Sequence, residues 1–111
     1  MIFKDIFKSG YDYQSLAWQP FRSGVEIYKL YDSDRGASAA LLKYEAGAKV
    51  PHHTHSGYEH IFILKGTQAD LNGTYEVGTL VINDPTTHHD VQSMDGCIVL
   101  IIWERPVVIE E

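Results

Sequence analysis

Hydrophobic and polar positions change places over short runs along this chain. Val25-Glu26-Ile27-Tyr28-Lys29-Leu30-Tyr31 reads with period two, the repeat of a strand with one face toward a core. Asp32-Ser33-Asp34-Arg35-Gly36 interrupts it as a turn. Ala37 to Tyr44 has the Ala and Leu of a helix, but its length and its neighbours assign it to a strand, and Gly47 ends it. Val50 to His55, Ile61 to Leu64, Thr79 to Ile82, His88 to Gln92 and Cys97 to Trp103 supply further strands. Ala69 to Tyr75 holds Asn72-Gly73, a strong short-range hairpin signal. After the first 20 residues no segment carries a 3.6-residue period, and the opening to about Gln19 reads as a helical or irregular arm. Short strands punctuated by glycine turns predict an all-β sandwich or barrel.

Length and charge narrow this picture. The 111 residues suit one domain, 1–111, of which 1–20 are the arm. Hydrophobic residues at 44% and aromatic residues at 12% are a globular composition. Nine Lys and Arg face 15 Asp and Glu, a net charge of -6, which argues against binding to nucleic acid or to an anionic membrane. A single cysteine makes no internal disulfide. The longest apolar run, Cys97 to Trp103, is far short of the about 20 residues of a membrane helix. Charges break every apolar stretch of the N-terminus, so no signal peptide is expected. The expectation is a soluble cytoplasmic protein.

Six histidines are many for this length, and their placement is informative. In His53-Thr54-His55 on a strand, the two imidazoles point to the same face as a chelating pair. Glu59, four residues later, can return a carboxylate to the same spot. Two histidines and a carboxylate with open positions suit non-haem iron, manganese, nickel or zinc. A further ligand would come from the pair His88-His89, of which alternation allows only one to face the metal. By the same alternation His52 and His60 face outward, His60 being also a candidate for an outer contact or a dimer interface. Cys97, in the most hydrophobic strand, reads as a packing residue, and Trp18 and Trp103 read as core or interface. Tyr44 and Tyr58 are candidate wall or rim residues with no catalytic role assigned, and Glu110-Glu111 reads as a solvated end.

The residues Gly47, His53, His55, Glu59 and Gly66 stand at the spacing G-x5-H-x-H-x3-E-x6-G, and in this the chain resembles the cupin superfamily at every position of its first motif. The second cupin motif, G-x5-P-x-G-x2-H-x3-N, starts here at Gly78 and puts its histidine at His89. Asp84, Thr86 and Ser93 stand in place of its Pro, Gly and Asn, with Pro85 one residue late. The resemblance implies a double-stranded β-helix, or jelly-roll, barrel of the RmlC-like type. It also implies one divalent transition metal per chain (Fe, Zn, Mn or Ni), held by His53, His55, Glu59 and His89.

A narrower resemblance is to the ChrR-like cupin group, which includes the cupin domain of anti-sigma factors and proteins similar to acetylacetone dioxygenase. It is carried by Trp18-Gln19-Pro20-Phe21, by His53 to Glu59, by Gly66 to Thr79 and by Asp95-Gly96-Cys97. It implies either a dioxygenase acting on a small diketone-like or aromatic substrate, or a metal-dependent sensor that binds without catalysis. Sigma-factor binding is not expected of this chain alone, because no second Cys/His set precedes residue 47. A small-molecule ligand in the barrel is expected. A homodimer is also expected, its first strands pairing across subunits.

Overall fold

A computed structural model of the chain describes residues 1–106 and 108–109, with the side chains of these except His52, Val108 and Ile109. The outward reading of His52 and the solvated end at Glu110-Glu111 fall outside the described residues. Eleven strands follow in chain order: β1 (Gln19–Arg22), β2 (Val25–Asp32), β3 (Ser38–Tyr44), β4 (Lys49–Thr54), β5 (Glu59–Gly66), β6 (Gln68–Asp70), β7 (Gly73–Tyr75), β8 (Leu80–Asn83), β9 (His88–Gln92), β10 (Cys97–Trp103) and β11 (Val108–Ile109). They form two sheets, one in the order β1-β2-β3-β10-β5-β8 and the other in the order β11-β4-β9-β6-β7. Every paired neighbour is antiparallel. This is the all-β, two-sheet jelly roll that the sequence implied. Among the described residues no helix is long and apolar enough to cross a membrane.

The inner faces of the two sheets make the core. Ala40, Leu42 and Tyr44 of β3 and Cys97, Val99 and Ile101 of β10 pack with Val50 of β4 and Val91 of β9. The alternate positions, Leu41, Ile98 and Leu100, are buried too, because the N-terminal arm lies over the outer face of the first sheet with Ile6 and Tyr13. The Tyr13 hydroxyl donates to the Ile6 carbonyl (2.6 Å), and the Trp18 indole donates to the Tyr13 carbonyl (2.7 Å). With both faces covered, β3 and β10 need apolar residues at consecutive positions. That is why Ala37 to Tyr44 shows no strand alternation and fits a helix equally well in sequence. The arm itself is irregular and holds one short 3₁₀ turn, Tyr13–Ser15, capped by the Asp12 side chain.

Two local features differ from the sequence expectation. Strand β1 was not anticipated, since Gln19, Pro20 and Phe21 are all exposed and carry no alternation. The hairpin between β6 and β7 is present, but Asp70 pairs with Gly73, so the turn centres on Leu71-Asn72 and not on Asn72-Gly73. The Asp70 carboxylate accepts the Asn72 backbone N–H (2.8 Å), a side-chain closure of the turn that shifts it by one residue.

Two of the motif glycines serve different purposes. Gly47 has φ +84° with open space where a side chain would stand. Gly66 has φ +74°, and a Cβ there would overlap the Gly96 carbonyl and the Cα of Cys97. Gly47→Ala is therefore expected to cost about 1 kcal/mol for the left-handed backbone alone. Gly66→Ala is expected to cost about 3 kcal/mol or more, because strands β5 and β10 must also part. Urea unfolding of the two variants measures the difference, and equal losses would rule out the close approach as the reason for Gly66.

Candidate metal centre

Strand pairing assembles a cluster from both sheets. In the second sheet His53 of β4 stands opposite His89 of β9. His55 extends that pairing just past β4, donating its N–H to Thr87 and accepting from Thr86 (both 2.9 Å). Glu59 opens β5 in the first sheet, between Asn83 of β8 and Trp103 of β10. Both of these ladder neighbours donate to its carboxylate, Asn83 Nδ2 to Oε1 (2.9 Å) and Trp103 Nε1 to Oε2 (2.8 Å). His53, His55, Glu59 and His89 are all buried, and one ligand atom from each lies within 4.8 Å of the others.

A bulge aims the histidine pair. Val50 faces the core and His53 faces the cluster, yet they are three positions apart, which puts them on opposite faces of a regular strand. The β4–β9 register shifts between Val50 and His53, so that β4 carries one residue more than β9 there. The extra residue reverses the alternation and turns His53 and His55 inward.

Oxygen acceptors on the far side of the rings, hydrogen-bonded for His53 and His55 and facing His89, draw the protons to Nδ1. His53 Nδ1 lies 3.0 Å from the Pro51 carbonyl, which only accepts. His55 Nδ1 lies 2.8 Å from Thr87 Oγ1, whose own proton goes to the Asp84 carbonyl. His89 Nδ1 faces the Asp70 carboxylate at 3.6 Å. In each neutral ring Nδ1 therefore carries the hydrogen, and Nε2 turns a bare lone pair to the centre. The Nε2 atoms of His53 and His89 are 2.9 Å apart. His55 Nε2 is 3.2 Å from Glu59 Oε1 and has no hydrogen-bond partner although fully buried. A proton shared between His53 and His89 would relieve one of these contacts and leave His55 Nε2 orphaned. One cation bonded to all three imidazoles at about 2.0–2.1 Å relieves them together. The donor set fits a metal ion.

The ionisation states agree with this. Burial alone raises the Glu59 carboxyl, but the adjoining His55 ring and the hydrogen bonds donated by Asn83 and Trp103 outweigh it and hold the group below the usual carboxylate value. Burial and the neighbouring His53 hold His89 below the ordinary imidazole value, against the pull of Glu59 and Asp70. Both groups are thus in the ligating form at neutral pH. Burial pushes the Tyr44 phenol well up, aided by Cys97 and Glu59, so it stays protonated. Burial also pushes the Cys97 thiol up to about 11, in keeping with a packing role.

All four residues expected from the motifs meet at one point. His88 is exposed on the opposite face of β9, and His60 is half-buried on the outer face of the first sheet. Tyr58 is exposed, whereas Tyr44 lines a cavity of about 30 Å³ beside His53 and Glu59, together with Phe21, Leu42 and Trp103. The orienting groups Asn83, Thr87, Trp103 and Asp70 were not singled out in sequence as parts of the site. Cross-strand pairing alone brings them there, and no local spacing signals it. Ser93, in place of the motif Asn, is buried and donates to the Thr67 carbonyl (2.6 Å). Thr86, in place of the motif Gly, keeps the left-handed backbone at φ +77°.

The family model of the ChrR cupin-like domain matches residues 8–106. Among solved structures, the complex of Rhodobacter sphaeroides SigE with the anti-sigma ChrR aligns with 27% identity and TM-score 0.76, over 86% of this chain and 53% of that one. The chain thus spans about half the length of that neighbour. An RmlC-like cupin from Ralstonia eutropha aligns with 24% identity and TM-score 0.75, over 86% of this chain and 68% of that one. An acetylacetone dioxygenase from Acinetobacter johnsonii aligns with 18% identity and TM-score 0.77, over 85% and 72%. No curated protein sequence matches the chain.

Two outcomes follow from this geometry. A β-branched residue at positive φ is strained, so Thr86→Gly is expected to stabilise the protein by about 1 kcal/mol in urea unfolding; a loss of stability would mean that the Thr86 side chain is needed. The His89 shift means that the folded metal-free protein binds fewer protons than the unfolded chain as pH falls below the ordinary imidazole value of 6.5. Its stability is expected to decline from there downward, and to decline further as Glu59 protonates below 4.5. Calorimetric melting temperatures from pH 8 to about 4 follow this, and a flat profile would contradict it.

Proposed function

The chain belongs to the ChrR cupin-like domain family, and from that premise we propose that it is a metal-dependent dioxygenase acting on a small diketone-like or aromatic molecule. The observation that carries this reading is the convergence of three proton-free imidazole nitrogens and one carboxylate on a buried point beside an apolar cavity. His53, His55, His89 and Glu59 would hold one divalent ion, Fe, Mn, Ni or Zn. A redox-active ion there supplies the Lewis acidity and electron transfer that dioxygen chemistry requires.

The chain's own residues do the rest. Glu59 offsets part of the cation's charge, and Asn83 and Trp103 lock its carboxylate so that it does not swing away. The Pro51 carbonyl, Thr87 and Asp70 orient the three rings. Leu42, Tyr44, Phe21 and Trp103 keep bulk water from the open side. The acetylacetone dioxygenase fold neighbour adds weight to this reading. A second reading, a metal-dependent sensor module without catalysis, is favoured by the family and by the 27% identity to the ChrR-complex structure. A cytoplasmic homodimer belongs to either reading.

Protein purified without chelator or added metal is expected to carry about one transition-metal ion per chain, and His89→Ala is expected to lose it. The iron-loaded protein is expected to consume oxygen with β-diketones or catechols, and to scatter light as a dimer. Bound metal with no oxygen uptake on either substrate class would shift the function to the sensor. Absence of metal after reconstitution would overturn both.

A further inference from the structure

A small space adjoins the four-residue cluster, and a much larger one shares the Phe21 and Trp103 side chains with it. The inner one, about 30 Å³, touches His53 and Glu59. That is room for about one or two water molecules, or for a diatomic molecule, and not for a diketone. The outer one, about 520 Å³, has Ile27 and Ala40 of the inner sheet face in its wall and Arg22 and Lys29 among its polar groups. Phe21 and Trp103 line both spaces. Their ring centroids are 6.5 Å apart and their planes 33° from parallel. These two rings form the partition.

The rings are anchored unequally. Trp103 belongs to β10, which is paired on both sides, and its indole N–H is bound to Glu59. Moving it would break that bond and disturb the carboxylate. Phe21 belongs to β1 at the edge of the sheet and is 43% exposed. In the β1–β2 ladder Pro20 pairs with Glu26 and Arg22 with Val25, so Phe21 is the extra residue of a bulge. Such a residue is left outside the ladder while the bulge re-aims its side chain, and its ring can swing without breaking a strand pairing.

We propose that Phe21 determines which molecules reach the metal position. With its ring in place, only ligands the size of water or dioxygen enter the inner space. A larger ligand, waiting in the outer space, enters when Phe21 swings outward while Trp103 stays fixed. This rests on reading His53, His55, Glu59 and His89 as metal ligands. It assigns size selection to the bulged edge strand and not to the barrel core.

The test uses the cobalt-loaded protein and two probes, azide and acetylacetone, with binding followed by stopped-flow visible absorption. Phe21→Ala is expected to speed acetylacetone binding by about tenfold, the order expected from removing a half-buried aromatic ring. Azide binding should change by less than about twofold. Phe21→Trp, which keeps an aromatic ring and so guards against loss of the fold, is expected to slow acetylacetone and spare azide. Equal acetylacetone rates in all three proteins would overturn the proposal. So would a parallel rise for azide, which would mean a generally loosened site. Cobalt that binds but takes up neither probe in any of the proteins would show a metal with no open position and would overturn the gate, whereas failure to bind cobalt at all would overturn the metal reading beneath it.

Discussion

Three imidazole lone pairs and a carboxylate buried together are an unfavourable arrangement for a protein interior, because acceptors gain nothing from one another. The structure nevertheless builds this arrangement with care. Each histidine has its Nδ1 proton engaged on the far side, and Glu59 is held by two neutral donors from its ladder partners. Orientation of this kind leaves every Nε2 atom facing inward and His55 Nε2 without a partner. A cation at the centre turns the same groups from a cost into a binding site. The strand pairing, the bulge in β4 and the half-buried Trp103 all serve that one point.

The rest of the fold makes the cluster rigid. The first sheet is covered on one side by the second sheet and on the other by the N-terminal arm. Strand β10 at its centre is therefore buried on both faces and carries Trp103 at its end. The cluster is thus braced on one side by a strand buried on both faces and faces the edge strand β1 on the other. Rigid support and a movable neighbour stand on opposite sides of one small cavity, which is an arrangement suited to selective entry.

The bulges in β4 and β1 bear on the site for the same physical reason. One extra residue reverses strand alternation downstream of it or takes a side chain out of the ladder. In β4 the shift between Val50 and His53 decides that the chelating pair faces inward, and in β1 it decides where Phe21 lies. Thr86 shows the same economy in a turn. The backbone keeps the left-handed conformation of the motif glycine although the residue has changed, because the Thr86 N–H and the Thr87 carbonyl must still pair with His55.

Much of this was legible in the sequence because it is local. Period-two patterning and glycine turns determined most of the strands, and the spacing of His53, His55 and Glu59 determined a chelating set. The place of His89 came through the motif resemblance, since His88-His89 by themselves leave the choice open. What the sequence could not carry is non-local. Burial of β3 and β10 under the arm erased their alternation, strand β1 has no alternation to read, and the Asp70 side chain moved the hairpin turn by one residue. Asn83, Trp103, Thr87 and Asp70 reach the cluster only through cross-strand register. The sequence by itself determined which donors this protein has. The tertiary structure decided which way they face and what stands between them and solvent, because facing depends on register and bulges, which arise only when strands pair.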